Sequence, residues 1–403
     1  MTRLLFTYVL LATCFLLGGC DQDPWMRGAV EGYLPVYDNN PTFKQISYQP
    51  ARSSVHPGKL YTYGKLVLQA ESDSGLHLIS YQDPAHPVRT AFLRIPGFRT
   101  ATVKGDYLYA DNYNDLVVIP LKELPSLSHV GRVPGMWTQK DFPPFEGAYF
   151  ECVDHSKGAV IGWQKGIVNN PQCRADRGHK DTDPSQLKLS AGIVVEGEYL
   201  YVSDKGNLMS YSIAQPTAPV LKQQLTGTDR IDSIYMFNEL LATVRKERSR
   251  ISLYDLSNPA IINYKTGLTP PYACEILVPA GKYVYSVGNY NFMMCSPSKE
   301  PEVNVYELSA DYNTLTLAGS LQFDTTYAVI RGGNYLYAGT TKGISIVDVS
   351  APPVITRFAE KQGDIYTDMI IEGTLLFARS ATWIACYDIS SPASITLISK
   401  LAY

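Results

Sequence analysis

The sequence predicts an all-β fold, a β-propeller built from four-stranded antiparallel blades, and three observations carry that prediction. A glycine followed by alternating large residues recurs along the chain, a second apolar run follows each copy after a polar turn, and a proline closes each unit at a nearly fixed distance. One such unit reads "GGNYLYAGTTKGISIVDVSAP" over residues 332–352. With 45% hydrophobic and 18% charged residues and 29 tyrosines among 403 residues, the chain is neither disordered nor coiled-coil-like. A formal net charge of −3 gives no basic footprint for nucleic acid.

The first element is an export signal. Arg3, the apolar stretch "LLFTYVLLATCFLL" and the small residues before Cys20 match a secretory signal over 1–19, too short to span a bilayer comfortably. Leu17, Gly18, Gly19 and Cys20 resemble the bacterial lipobox, in which the cysteine thiol receives diacylglycerol. Cleavage leaves Cys20 as a lipidated N-terminus, with 20–45 expected as a flexible tether. No later stretch approaches the ~20 apolar residues of a spanning helix, so the chain is expected to be held at the membrane by its acyl chains alone. The expected location is the cell envelope, on a membrane and face that Asp21 leaves open.

Residues 46–403 hold the repeat. Its anchors are Gly64, Gly105, Gly197, Asn238, Gly281, Gly333 and Gly373, each opening a strand such as "GDYLY", "GEYLY" or "GKYVY". Second strands follow, among them "LHLISY", "LVVIPL" and "VNVYEL". From anchor to closing proline the spacing is 20 to Pro84, 20 to Pro125, 19 to Pro216, 21 to Pro259, 19 to Pro352 and 19 to Pro392. Proline cannot donate to a ladder, so it marks the point where an inner strand ends. Short apolar runs before each glycine and after each proline complete four strands per unit. A sheet apolar on both faces must be covered by its neighbours, and a recurrence every ~40 residues is the period of a propeller blade.

Between Gly105 and Gly197 the gap is 92 residues, two units plus an insertion. "YFECVDHSKGAVIGW" aligns there as strand, turn and strand, making Gly158 an eighth anchor in an irregular third unit. Eight blades are therefore favoured, with seven as the alternative, and insertions fall at 134–149 and 164–189.

The stretches "GISIVDVSAP", "DLVVIPL" and "ISLYDLSNP" resemble the LVIVD repeat family of bacterial cell-envelope propeller lipoproteins, and the likeness runs from about Gly58 to the C-terminus. The resemblance implies a fold and a compartment. It brings no agreed activity and therefore no catalytic residues.

Five cysteines remain beyond Cys14 and Cys20. Cys152 and Cys173 lie 6 before and 15 after Gly158, and Cys274 and Cys295 lie 7 before and 14 after Gly281. The matched spacing reads as two disulfides in an oxidising compartment, each contributing about 3 kcal/mol in the chain-entropy account. Cys386, inside an apolar strand, reads as a buried free thiol. Zinc at Cys152, His155, Cys173 and His179 is the competing reading; the second cysteine pair keeps the spacing without histidines, which favours disulfides. No metal or cofactor is expected.

His56, His77, His86 and His129 read as scattered surface or turn residues, and Glu71, Asp73, Asp111 and Asp115 as turn formers. "RKERSR" at 245–250 reads as a solvated hairpin tip. No nucleophile elbow, zinc-protease helix or phosphate loop is present. The insertion "GMWTQKDFPPFEGAYF" carries Trp137, Phe142 and Phe145 among prolines and is the candidate contact region, because aromatic rings on a loop suit sugars or protein hot spots. The expected role is a lipid-anchored, non-enzymatic module binding an envelope protein or glycan and touching the membrane through Cys20. A carbohydrate-acting propeller enzyme using channel-mouth carboxylates and a purely structural envelope protein are the alternatives.

Overall fold

The computed structural model describes residues 28–40, 42–137, 142–143, 145, 147–175, 191–204, 206–228, 231, 233–237, 239–245, 250–269, 275–288 and 301–403. The chain divides into two compact units, one of residues 44–139 with 185–403 and one of residues 1–43 with 140–184. Eight sheets form among the described residues, and no helix there is long and apolar enough to cross a membrane.

The larger unit holds seven of the sheets, each made of consecutive strands in sequence order. Blade 1 is Pro57–Tyr63, Leu66–Glu71, Gly75–Ser80 and Val88–Arg94, with Ser47–Pro50 added outside as a fifth strand. Blade 2 is Ala101–Lys104, Tyr107–Asn112, Asp115–Pro120 and Gly131–Val133. Blade 3 is Ala191–Glu196, Tyr199–Asp204, Asn207–Ser212 and Val220–Leu225. Blade 4 is Ser233–Phe237, Leu240–Arg245, Arg250–Asp255 and Asn263–Leu268. Blade 5 is Glu275–Ala280, Tyr283–Gly288, Glu302–Leu308 and Leu315–Gln322. Blade 6 is Thr326–Gly332, Tyr335–Thr340, Gly343–Ala351 and Val354–Gln362. Blade 7 is Asp368–Glu372, Leu375–Arg379, Trp383–Asp388 and Thr396–Ala402.

Each anchor glycine opens the two-residue turn between the first and second strands of its blade. Its φ is +57° at Gly64, +56° at Gly105, +55° at Gly197, +61° at Gly281, +57° at Gly333 and +60° at Gly373. A β-carbon at any of the six would meet nothing within 4 Å. Space is therefore not the constraint; the backbone conformation is, because a hairpin turn with positive φ at its first position favours glycine.

The first strands of successive blades pack side by side around the unit, and that of blade 7 returns to that of blade 1. Seven apolar cores fill the seven junctions. Leu76 and Leu78 of blade 1 meet Val117 and Ile119 of blade 2, and Phe377, Ile384 and Cys386 of blade 7 meet Leu60, Val67 and Ile79 of blade 1. Each blade thus buries both faces against its neighbours, the condition that makes a ring of such sheets stable.

The eighth sheet belongs to the smaller unit and is not a copy of the other seven. Its order is Ala159–Asn169, Ala29–Asp38, Tyr149–Phe150 and Cys173–Arg174, and the middle pair is parallel at Tyr33 and Phe150. Gly158 does not act as a blade anchor: it closes the 3-10 turn His155–Lys157 at φ +117° and feeds the long strand Ala159–Asn169. That strand pairs with Ala29–Asp38, a segment expected as tether, and it runs into the 164–189 segment expected as an insertion. The pairing partner lies more than a hundred residues upstream, out of reach of any local pattern.

Candidate binding site

In an antiparallel blade the turn between the second and third strands and the connection into the first strand share one end. In blade 2 this end is organised by Asp115. Its carboxylate accepts from Lys44 Nζ at 2.9 Å, Arg132 Nη1 at 2.7 Å and the Gly135 amide at 3.0 Å. Burial acts to raise its pKa, but the bonds from Lys44, Gly135 and Arg132 outweigh it and hold the carboxyl below its ordinary range. The Trp137 amide donates to the Asn114 carbonyl at 3.0 Å, so residues 135–137 are fixed against the turn of blade 2.

This fixed segment forms one wall of a cleft of about 430 Å³ between blades 2 and 3. Pro134, Gly135, Leu221 and Gln224 stand exposed at its rim, and Met136, Trp137, Met209 and Tyr211 are buried beneath it. Asp204, Asn207 and Gln224 supply polar groups. Burial pushes the Tyr211 phenol up, so it stays neutral. The blades approach closely next to the cleft: a β-carbon on Gly131 would lie 2.0 Å from the Thr217 carbonyl oxygen. A cleft of this size with convergent polar groups has the dimensions of a ligand or side-chain pocket.

Trp137 is not the exposed ring the insertion suggested. Only 2% of it is accessible, because it packs with Tyr109, Leu116 and Leu200 in the core between blades 2 and 3. Phe142 and Phe145 are exposed but belong to the smaller unit, where Phe145 stacks on Tyr33 with centroids 4.4 Å apart. Trp137, being buried, adds no exposed ring to theirs. Cys152 and Cys173 form a disulfide with Cα atoms 5.3 Å apart, which removes both sulfurs from any zinc site. Cys386 is free and buried. Cys20, Cys274, Cys295 and His179 lie outside the described residues, which contain no group of metal-ligating side chains.

Of the four carboxylates expected as ordinary turn formers, Asp73 is exposed in its turn at φ +59°, whereas Glu71, Asp111 and Asp115 are buried in ion pairs; Asp324 and Asp364 add two further paired carboxylates. Glu71 binds Arg52 at 3.1 Å and His77 Nε2 at 2.5 Å. His77 is wholly buried rather than a surface histidine, lying beside Phe92 with ring centroids 4.8 Å apart. Asp111 takes Arg99 Nε at 2.6 Å and the amides of Arg99 and Thr100; burial nevertheless pushes its carboxyl up. Asp324 takes Lys342 at 2.8 Å and Arg357 at 2.9 Å. Asp364 takes Lys400 at 2.8 Å and Trp383 Nε1 at 3.0 Å. Each is paired with a base, so these groups form a scaffold of ion pairs.

The repeats can now be matched outside this chain. The LVIVD repeat model matches residues 99–133, 190–226 and 328–356, which are blades 2, 3 and 6. The chain carries LVIVD repeats. Two of the three LVIVD matches are the blades that wall the cleft, with the insertion between them. No curated protein matches the chain. Among solved structures it resembles the computationally designed Ika8 protein, with a TM-score of 0.50 at 9% identity over 88% of this chain and 89% of that one. Hsv2 of Kluyvelomyces marxianus gives 0.47 at 8% identity over 86% and 99%. BamB of Moraxella catarrhalis gives 0.44 at 10% identity over 79% and 80%. The likeness to the designed protein is one of fold alone.

Proposed function

We propose that the protein is a lipid-anchored module of the bacterial cell envelope that binds or assembles a partner protein, without catalysis, at the cleft between blades 2 and 3. The cleft itself carries this reading: a preformed concavity with a rigid frame around Asp115, an apolar floor containing two methionines and an exposed Leu221 on its rim. Thioethers adapt to irregular partner surfaces. A protein partner is favoured over a glycan because the Trp137 and Tyr211 rings are buried, which leaves no open aromatic face for a sugar to stack on. The enzyme alternative is disfavoured by the ion pairs that occupy Glu71, Asp111, Asp115, Asp324 and Asp364.

The compartment rests on two supports. The "LGGC" stretch has the residues a lipidating system needs, and the Cys152–Cys173 disulfide belongs outside a reducing cytoplasm. Cys20 then holds the chain at a membrane through its acyl groups, palmitate among them. Labelled palmitate is expected to enter the wild-type chain and not Cys20→Ser. Replacing rim residue Leu221 by Arg is expected to cut recovery of co-purifying envelope protein to roughly a tenth, in line with loss of one central contact. Undiminished recovery contradicts the site.

A further inference from the structure

Among the described residues, one long edge of the smaller unit is unpaired. Ala159–Asn169, eleven residues, is the outermost strand of its sheet, and among the described residues no strand pairs with its second side. Its one charged residue is Lys165, so it carries little of the charge by which edges are usually protected. Ile161 and Ile167 on it are 37% and 56% exposed.

The residues along this edge read alike in both directions from Gln164. Val160, Ile161 and Gly162 on one side are answered by Gly166, Ile167 and Val168 on the other. A contact between identical chains about a twofold axis requires a patch that complements itself. Antiparallel pairing of two copies centred on Gln164 meets that requirement: Gly162 faces Gly166, and the Trp163 ring faces the exposed Lys165 ammonium of the second copy, a cation–π pair.

Gly162 supplies an independent reason. At Gly166 a β-carbon would meet the Leu34 side chain, 2.7 Å from its Cδ1, which would have to shift. At Gly162 a β-carbon would meet nothing within 4 Å, and its φ is not positive. Neither space nor conformation inside the chain calls for glycine there. A glycine in a strand also marks the close approach of another backbone, and here the open side is the free edge. Ile161 is the extra residue of a bulge against Val36 and Tyr37, so the regular part of the edge starts at Gly162 and includes the whole central pairing.

We propose that two copies of this chain pair through the strand Ala159–Asn169, antiparallel and in the register that sets Gln164 against Gln164. The test uses the full chain in mild detergent. Gln164 is exposed, so Gln164→Cys leaves the fold intact, and in this register only residue 164 faces its own copy. Mild oxidation is expected to give a covalent dimer of Gln164→Cys at least tenfold faster than of Lys165→Cys. In sedimentation the wild type is expected to dimerise, and Gln164→Lys, which sets like charges opposite each other, to weaken the dimer at least tenfold. A monomeric wild type at high micromolar concentration, or Lys165→Cys crosslinking as fast as Gln164→Cys, overturns the proposal.

Discussion

Asp368, in the first strand of blade 7, accepts the backbone N–H of Leu60, in the first strand of blade 1, at 2.6 Å. No strand is shared across this junction, since every blade is built from its own consecutive strands. The ring is closed there by packing around Cys386 and Phe377 and by a few bonds: Arg379 to the Pro57 carbonyl at 3.0 Å, Arg89 to the Ala402 carbonyl at 2.5 Å and Ser399 to the Pro84 carbonyl at 2.7 Å. Asp368→Ala leaves the Leu60 amide without its acceptor. Such a loss costs about 1–3 kcal/mol, and urea unfolding is expected to show it as a lower midpoint at constant slope. An unchanged midpoint would mean that the junction is held by packing alone.

His77 gives the fold a pH dependence with a definite sign. Burial, ahead of the opposing bond to Glu71, pushes its pKa down. The unfolded chain therefore takes up that proton before the folded one does. The contribution is fully present above the ordinary histidine pKa of about 6.5 and is lost as pH falls from there through the lower folded value. Stability measured from pH 7 to 5 is expected to drop, and His77→Gln to flatten that slope. A slope identical in the variant assigns the acid sensitivity elsewhere.

The Cys152–Cys173 bond closes a 21-residue separation within the smaller unit. A loop of that size is worth about 3 kcal/mol in the chain-entropy account. Cys152→Ser is expected to raise hydrogen exchange over Ala29–Asp38 and Ala159–Asn169 while leaving blades 4 to 7 protected. Equal loss of protection in those blades would contradict the division into two units.

What could be read from the sequence and what could not differ in range. The six anchor glycines announce their turns because a positive φ is a demand on one residue, written where it acts. Gly158 looks the same in a linear pattern, yet its strand pairs with Ala29–Asp38, and nothing near Gly158 records that choice. Trp137 stands in a proline-rich insertion like a surface ring; the core of blades 2 and 3 that covers it comes together only when the ring forms. His77 alternates with Leu76 and Leu78 in one strand, and its partner Glu71, itself paired with Arg52, comes from outside that strand. Local backbone demands were legible, whereas contacts between distant segments, which make the cleft and the ion pairs, were not.

The binding claim is tested most directly by a photo-crosslinking residue placed at Gln224, on the cleft rim, and at Val354, on the outer strand of blade 6, 68% exposed and far along the chain. Ultraviolet light on intact cells is expected to yield one discrete protein adduct from position 224 and none of that mass from position 354. The same adducts from both positions, or none from position 224, would contradict the cleft as the place where this protein meets its partner.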